Sequence, residues 1–184
     1  SCRFVTCSEF AMVVFRCGSF LHRFLLVSEP TGTIVSINRS AGGVPKLPVA
    51  EVFVGEQGLD GDGHRFHMHG GADKAVCVYA IEIIEALQKE GHPIAIGTTG
   101  ENVTVRGIEW QRIVPGVRMV FGEVEITVTG YASPCQTIVG SFSDARSTRI
   151  SQKVHPGWSR VYGRVNQTGT LRVGDTVSVL TPTL

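Results

Sequence analysis

The sequence predicts a mainly β protein: a closed or nearly closed β-barrel with one to three short helices. Three observations predict it. Glycine is abundant, 22 of 184 residues, against ~7% on average, which suits many tight turns. Short apolar or alternating runs recur between those glycines, a pattern of strands. Only Ile81 to Glu90 reads clearly as a helix, with Ile83, Ile84 and Leu87 at helical spacing and Gly91 and Pro93 closing it.

Taken in order, Thr33 to Ile37 reads as a strand, Ser40 to Lys46 as a loop, and Val49 to Val54 as a second strand. The glycine-rich stretch Gly58 to Lys74 follows, then Ala75 to Tyr79, an apolar run typical of a buried strand. After the helix, Asn102 to Val105 alternates. Val117 to Phe121 and Glu123 to Val128 flank Gly122 as a hairpin. Asp144 to Val154 is expected to form a short helix, and Leu171 to Val179 repeats the strand–glycine–strand design around Gly174. Many short strands with few helices fit a barrel, which removes sheet edges by closure.

The length suits one domain, read here as residues 30–184. Residues 1–29 are apolar and aromatic but broken by Arg3, Arg16, His22 and Arg23. They lack the uninterrupted apolar core of a signal peptide and the ~20-residue span of a membrane helix. They are read as an N-terminal extension or added leader that need not be ordered. Net charge is +1, which gives no electrostatic reason to expect nucleic acid or a membrane surface. The five cysteines (Cys2, Cys7, Cys17, Cys77, Cys135) are odd in number and form no CxxC pair. A reduced, cytoplasmic compartment is expected. No Rossmann or P-loop glycine pattern occurs.

Four groups of residues carry candidate chemistry. His64, His67 and His69 have the spacing of zinc ligands, yet Gly70 and Gly71 serve a loop approaching a bound group better than a metal cage. Cys135 lies in Ser133-Pro134-Cys135-Gln136, just past a strand and at the expected start of a helical turn. That position stabilises a thiolate, whereas Cys77, inside Val76-Cys77-Val78, reads as a small buried hydrophobe. Lysine is scarce, and Arg160 and Arg164 are spaced so that a strand would point both one way, an anion clamp or a solvated exterior. Gly97 to Asn102 is a turn that could present Glu101 and Asn102 to a ligand.

Together these segments resemble a known family. His69-Gly70-Gly71-Ala72-Asp73-Lys74, Gly100-Glu101-Asn102, Ser133-Pro134-Cys135, His155-Pro156-Gly157-Trp158-Ser159-Arg160-Val161-Tyr162-Gly163-Arg164 and Val173-Gly174-Asp175 occur in the order of the MOSC domain, named for the C-terminal part of molybdenum cofactor sulfurases. Two positions depart from its pattern. Ala72 replaces a proline, and Lys74 replaces an arginine, which keeps the charge and loses the planar fork.

The resemblance implies a strand-rich barrel in which Cys135 carries sulfur as a persulfide or ligates molybdenum. It implies a cofactor-binding set of His69, Gly70, Gly71, Asp73, Lys74, Glu101, Asn102, Arg160 and Arg164. The implied cofactor is the molybdenum cofactor, and the implied partner is a cysteine desulfurase or an electron-transfer protein. Some members are linked to reduction of N-hydroxylated compounds. Pyridoxal phosphate, also attached to the family, is not expected on this chain alone, since its chemistry needs a Schiff-base lysine in a phosphate cup. Two rivals stand beside this reading: a non-catalytic module for a small anion or cofactor, and a zinc hydrolase built on His64, His67 and His69.

Overall fold

The computed structural model describes residues 32–63 and 70–180. The segment 1–29 and the candidate ligands His64, His67 and His69 therefore lie outside the described residues. The strands are β1 (Gly32–Arg39), β2 (Leu47–Val49), β3 (Glu51–Gly55), β4 (Gly58–Leu59), β5 (Val76–Ala80), β6 (Val103–Arg106), β7 (Arg118–Phe121), β8 (Val124–Tyr131), β9 (Val161–Gln167), β10 (Gly169–Arg172) and β11 (Thr176–Leu180). One α-helix, α1 (Ile81–Lys89), and short 3-10 turns complete the described elements.

Seven strands close a barrel in the order β11-β7-β8-β9-β5-β6-β1, sealed where β1 pairs with β11 through Gly32 and Val177. Closure leaves these strands no free edge. β2 extends from β1, and β10, β3 and β4 form a separate small sheet. The core holds Ile34, Val78, Val103, Met119, Phe121, Ile126 and Val161, all essentially inaccessible to water. Burying each such side chain stabilises the fold by about 1.5–3 kcal/mol.

β5 is buried at every position, as expected of its uninterrupted apolar sequence. It runs parallel to β6, and parallel neighbours require a crossover, which α1 supplies. The helix lays Ile81, Ile83, Ile84 and Leu87 into the core. It ends where the sequence indicated: the His92 N–H reaches the Leu87 carbonyl and the Gly91 N–H reaches that of Gln88. This is a Schellman stop, and the φ of +88° at Gly91 is why glycine stands there.

The structure differs from the sequence reading in three places. Val49 to Val54 is two strands, because the chain bends at Ala50 to leave β1 for β10. Asp144 to Val154 holds only a 3-10 turn, Ser147–Ile150; Ala145 takes a left-handed φ of 54°, which stops a helix from propagating. The two designs around Gly122 and Gly174 also diverge. β7 and β8 do form a hairpin, whereas β10 pairs with β3 and β11 pairs with β7 and β1. The Gly174 N–H donates to the Ile34 carbonyl and the Ile34 N–H to that of Asp175. That turn is docked on β1 and steers the chain from one sheet to the other.

Candidate functional site

Alternation along β5 and β9 builds the floor of a cleft. Val76 and Val78 stand opposite Gly163 and Val161, with Cys77 directly across from Tyr162. A Cβ at Gly163 would sit 2.5 Å from Ile126 Cδ1, so the Val76–Gly163 face is packed core. Cys77 and Tyr162, on the other face, line a cleft that the loops before β2, before β6 and after β8 enclose. Its free space is about 90 Å³, enough for several ordered waters.

Cys135 is a half-buried member of that lining. The residue is extended, with φ −133° and ψ 175°, and the 3-10 turn Gln136–Ser141 starts immediately after it. The Thr137 hydroxyl lies 2.9 Å from its Sγ and fixes the thiol's direction. Cys77 lines the same cleft but is almost inaccessible, and burial pushes its thiol up to about 11. Burial also raises the Tyr162 phenol to about 12, so it stands in the cleft wall as a protonated hydrogen-bond donor at neutral pH.

Two buried networks hold the walls. In the first, the Glu101 carboxylate accepts the Gly97 N–H at 2.5 Å and the Thr99 hydroxyl at 2.7 Å, which closes the turn before β6. Arg160 donates an Nη1–H to the Thr99 carbonyl, while its Nε is buried without a hydrogen-bond partner among the described residues. Desolvation raises the Glu101 carboxyl above the usual carboxylate range. In the second, Lys46 pairs with Asp62, both nearly inaccessible. Asp62 also accepts the Asn102 amide at 2.8 Å and the Ser40 N–H at 3.0 Å. Asn102 in turn receives the Cys77 N–H at 3.1 Å, which ties the loop before β2 to the cleft floor.

The candidate residues divide accordingly. Cys135, Lys74, Asn102 and Arg160 line the cleft, with the Lys74 ammonium 5.8 Å above the Tyr162 ring, a cation–π contact. Glu101 does not line it and shapes the turn beneath. Gly70 and Gly71 lie outside the lining, Gly71 at a φ of 98° with open space where a Cβ would stand. Asp73 is exposed and pairs with Arg164. Arg164 is thus not brought to Arg160: its guanidinium is held by the exposed Asp73, outside the cleft lining that Arg160 joins.

Lys46, Asp62, Thr99 and Tyr162 escaped the sequence reading, while Cys77, read as a small buried hydrophobe, is buried as expected and also edges the cleft. Tyr162 had a usable signal, since it falls between the two arginines on the same strand face. Lys46 had only its scarcity. Among the described residues, no three His, Cys, Asp or Glu side chains converge as metal ligands, and no helix is long and apolar enough to cross a membrane.

Known proteins share this barrel. YuaD from Bacillus subtilis superposes with a TM-score of 0.68 over 85% of this chain and 100% of its own, at 16% identity, a likeness of fold. YiiM from Geobacillus stearothermophilus gives 0.61 at 28% identity, covering 82% of this chain and 75% of its own. The uncharacterized protein YflK of Bacillus subtilis strain 168 is 28% identical over 141 residues, which is 75% of this chain and 63% of that protein. This chain therefore matches less than two thirds of YflK's length. The sequence profile of the MOSC domain matches residues 65–178, a span that carries Cys135, Arg160 and most of the barrel. The chain belongs to the MOSC domain family, which is associated with molybdenum cofactor sulfurase-type function.

Proposed function

We propose that this protein is a sulfur carrier in which Cys135 bears a persulfide inside the cleft. The observation that supports this reading is the half-buried Cys135 thiol, oriented by Thr137, in a cleft that also presents Lys74 and Arg160. A persulfide forms when a thiolate attacks a sulfane sulfur. It carries negative charge, which nearby cations stabilise. A cysteine desulfurase is the proposed source, and a cofactor-dependent enzyme the acceptor.

A second reading, ligation of a molybdenum cofactor, is favoured by the donor set. A soft thiolate suits molybdenum better than a hard cation, and Arg160, which lines the cleft, brings a positive charge to an anionic group. The donor types match the metal end of such a group: Cys135 would hold the metal, Arg160 and Lys74 would face its anionic oxygens, and Tyr162 would offer its phenolic proton. When bound, the cofactor supplies two-electron redox chemistry, for which the donor would be a separate electron-transfer protein and N-hydroxylated compounds the substrate class.

Intact mass and elemental analysis, on protein co-expressed with cofactor biosynthesis, separate the readings. Sulfur carriage gives a mass increase of one sulfur atom on Cys135, lost in Cys135→Ser. Molybdenum near one equivalent, also lost in Cys135→Ser, establishes ligation. Zinc bound indifferently to Cys135 overturns both and points to His64, His67 and His69.

A further inference from the structure

The loop from Ser40 to Lys46 crosses the cleft as a strap. One carboxylate holds both of its ends: Asp62 accepts the Ser40 N–H at 3.0 Å and pairs with the Lys46 ammonium. The Ser40 carbonyl takes the Gly63 N–H at 2.6 Å, and the Lys46 N–H reaches the Gly97 carbonyl at 2.9 Å. The centre is held differently. Among the described residues, no hydrogen bond ties positions 41–45 to the barrel, and the Ser40 hydroxyl serves the loop's own Gly43 carbonyl and Gly42 N–H. Val44 makes the contact over the cleft, its Cγ1 3.1 Å from where a Cβ on Gly100 would stand. Gly42 and Gly43 take φ of 148° and 95°, a backbone that bends at the centre while the ends stay fixed. The space beneath is small. About 90 Å³ is free, against ~300–1,000 Å³ for pockets that take up a whole small molecule.

From these features we infer that the loop is a lid over Cys135, with Val44 as its closing residue and Asp62 as its anchor, which limits the shut cleft to cargo of a few atoms. This rests on the carrier reading and sets its size limit: the load enclosed is the single outer sulfur of the persulfide. A larger donor reaches Cys135 when the centre of the lid lifts Val44 off Gly100. Asp62 is then a positioning residue, since it acts on access to the thiol through the ends of the loop. The lid also explains a charged pair buried far from any catalytic step, because Lys46 and Asp62 fix the ends about which the centre moves.

The test compares two thiol reagents on the reduced full chain, small iodoacetamide and bulky pyrenyl maleimide, each read as a rate on the Cys135 peptide by mass spectrometry. Both attack the same thiolate, so their rate ratio cancels its ionisation and reports access. Free glutathione supplies the unhindered ratio. Wild-type Cys135 should disfavour the bulky reagent at least tenfold relative to glutathione. Val44→Gly should recover most of that factor with little change in the iodoacetamide rate, and Lys46→Ala, which frees one end, severalfold. Arg164→Ala, outside the cleft, should leave the ratio unchanged. Sulfur loading is read in parallel with inorganic polysulfide. The Cys135 sulfur bonds to the terminal sulfur, the adjoining sulfur–sulfur bond breaks, and the shortened polysulfide leaves with the electron pair. A wild-type ratio equal to that of glutathione, or one indifferent to both Val44→Gly and Lys46→Ala, overturns the lid; polysulfide loading then leaves the carrier reading standing. A ratio that shifts as expected while no sulfur loads supports the lid and overturns the carrier reading. Should Val44→Gly not fold, Val44→Ala reads the same contact.

Discussion

Cys77 and Cys135 line one cleft and are chemically unlike. Cys77 sits in the middle of β5, almost wholly covered although it edges the cleft, and burial holds its thiol near 11. Cys135 sits on a loop after β8, half-exposed, with a hydroxyl beside its sulfur. The difference teaches that lining a cleft is not enough: the strand delivers a thiol that stays protonated, while the loop delivers one that reagents can reach. The same contrast divides Arg160 from Arg164. The first is buried with an Nε–H that has no partner among the described residues, and the second is exposed and matched with Asp73.

The largest effect should break the pair of cysteines apart. At pH 8 only about one Cys77 in a thousand is a thiolate, given a value near 11, and the thiolate is the nucleophile. Iodoacetamide should therefore alkylate Cys135 at least a hundredfold faster than Cys77, read by peptide mass spectrometry over time. Comparable rates would remove the distinction between strand and loop thiols.

Next in size is the buried ion pair that anchors the loop before β2. Lys46→Ala leaves the Asp62 carboxylate buried without its cation, and breaking such a pair costs roughly 3–5 kcal/mol. The cost should lie toward the lower end, because Asn102 and the Ser40 N–H still satisfy Asp62. Urea denaturation of Lys46→Ala should show it as a lowered midpoint with an unchanged slope.

Glu101 sharpens the contrast between residues that line the cleft and residues that support it. Desolvation raises its carboxyl in the folded state above the ordinary value of 4.5. The folded protein then binds the proton more tightly than the unfolded chain does. Stability from this group is complete below the unfolded value and falls as pH rises through the interval up to the folded one. Thermal melts from pH 4 to 8 should show the wild type losing ground to Glu101→Gln as pH rises. A constant difference between the two would mean that Glu101 does not titrate differently on folding.

The smallest effect belongs to the exposed pair. Arg164→Ala removes the contact with Asp73, both side chains being more than half exposed, and should cost about 0.5 kcal/mol or less. A loss several times larger would show that Arg164 supports the cleft after all.

Much of the fold was legible because local rules were enough. The helix at Ile81 showed its apolar spacing and its glycine stop, and the hairpin at Gly122 paired as its alternation implied. The design at Gly174 looked alike and paired elsewhere. A period of two assigns faces to a strand but names no partner, and here the bonds to Ile34 chose one. Cys135 stood out for its setting between a strand and a turn. Lys46 did not, since an isolated lysine carries no signal until the chain closes around it. The signal of Tyr162, its place between two arginines on one strand face, shows only once the strand is set.

By itself, the sequence determined the fold class, the positions of most strands, the helix with its ends, and the family, all properties of neighbouring residues or of ordered motifs. The tertiary structure alone decided which thiol is accessible, which arginine is buried, and that Lys46 and Asp62 pair across the floor of the loop. Those outcomes depend on burial, and burial is set by what the rest of the chain places overhead. A thiol pushed to about 11 and a buried guanidinium are consequences of burial, which has no counterpart in an extended chain.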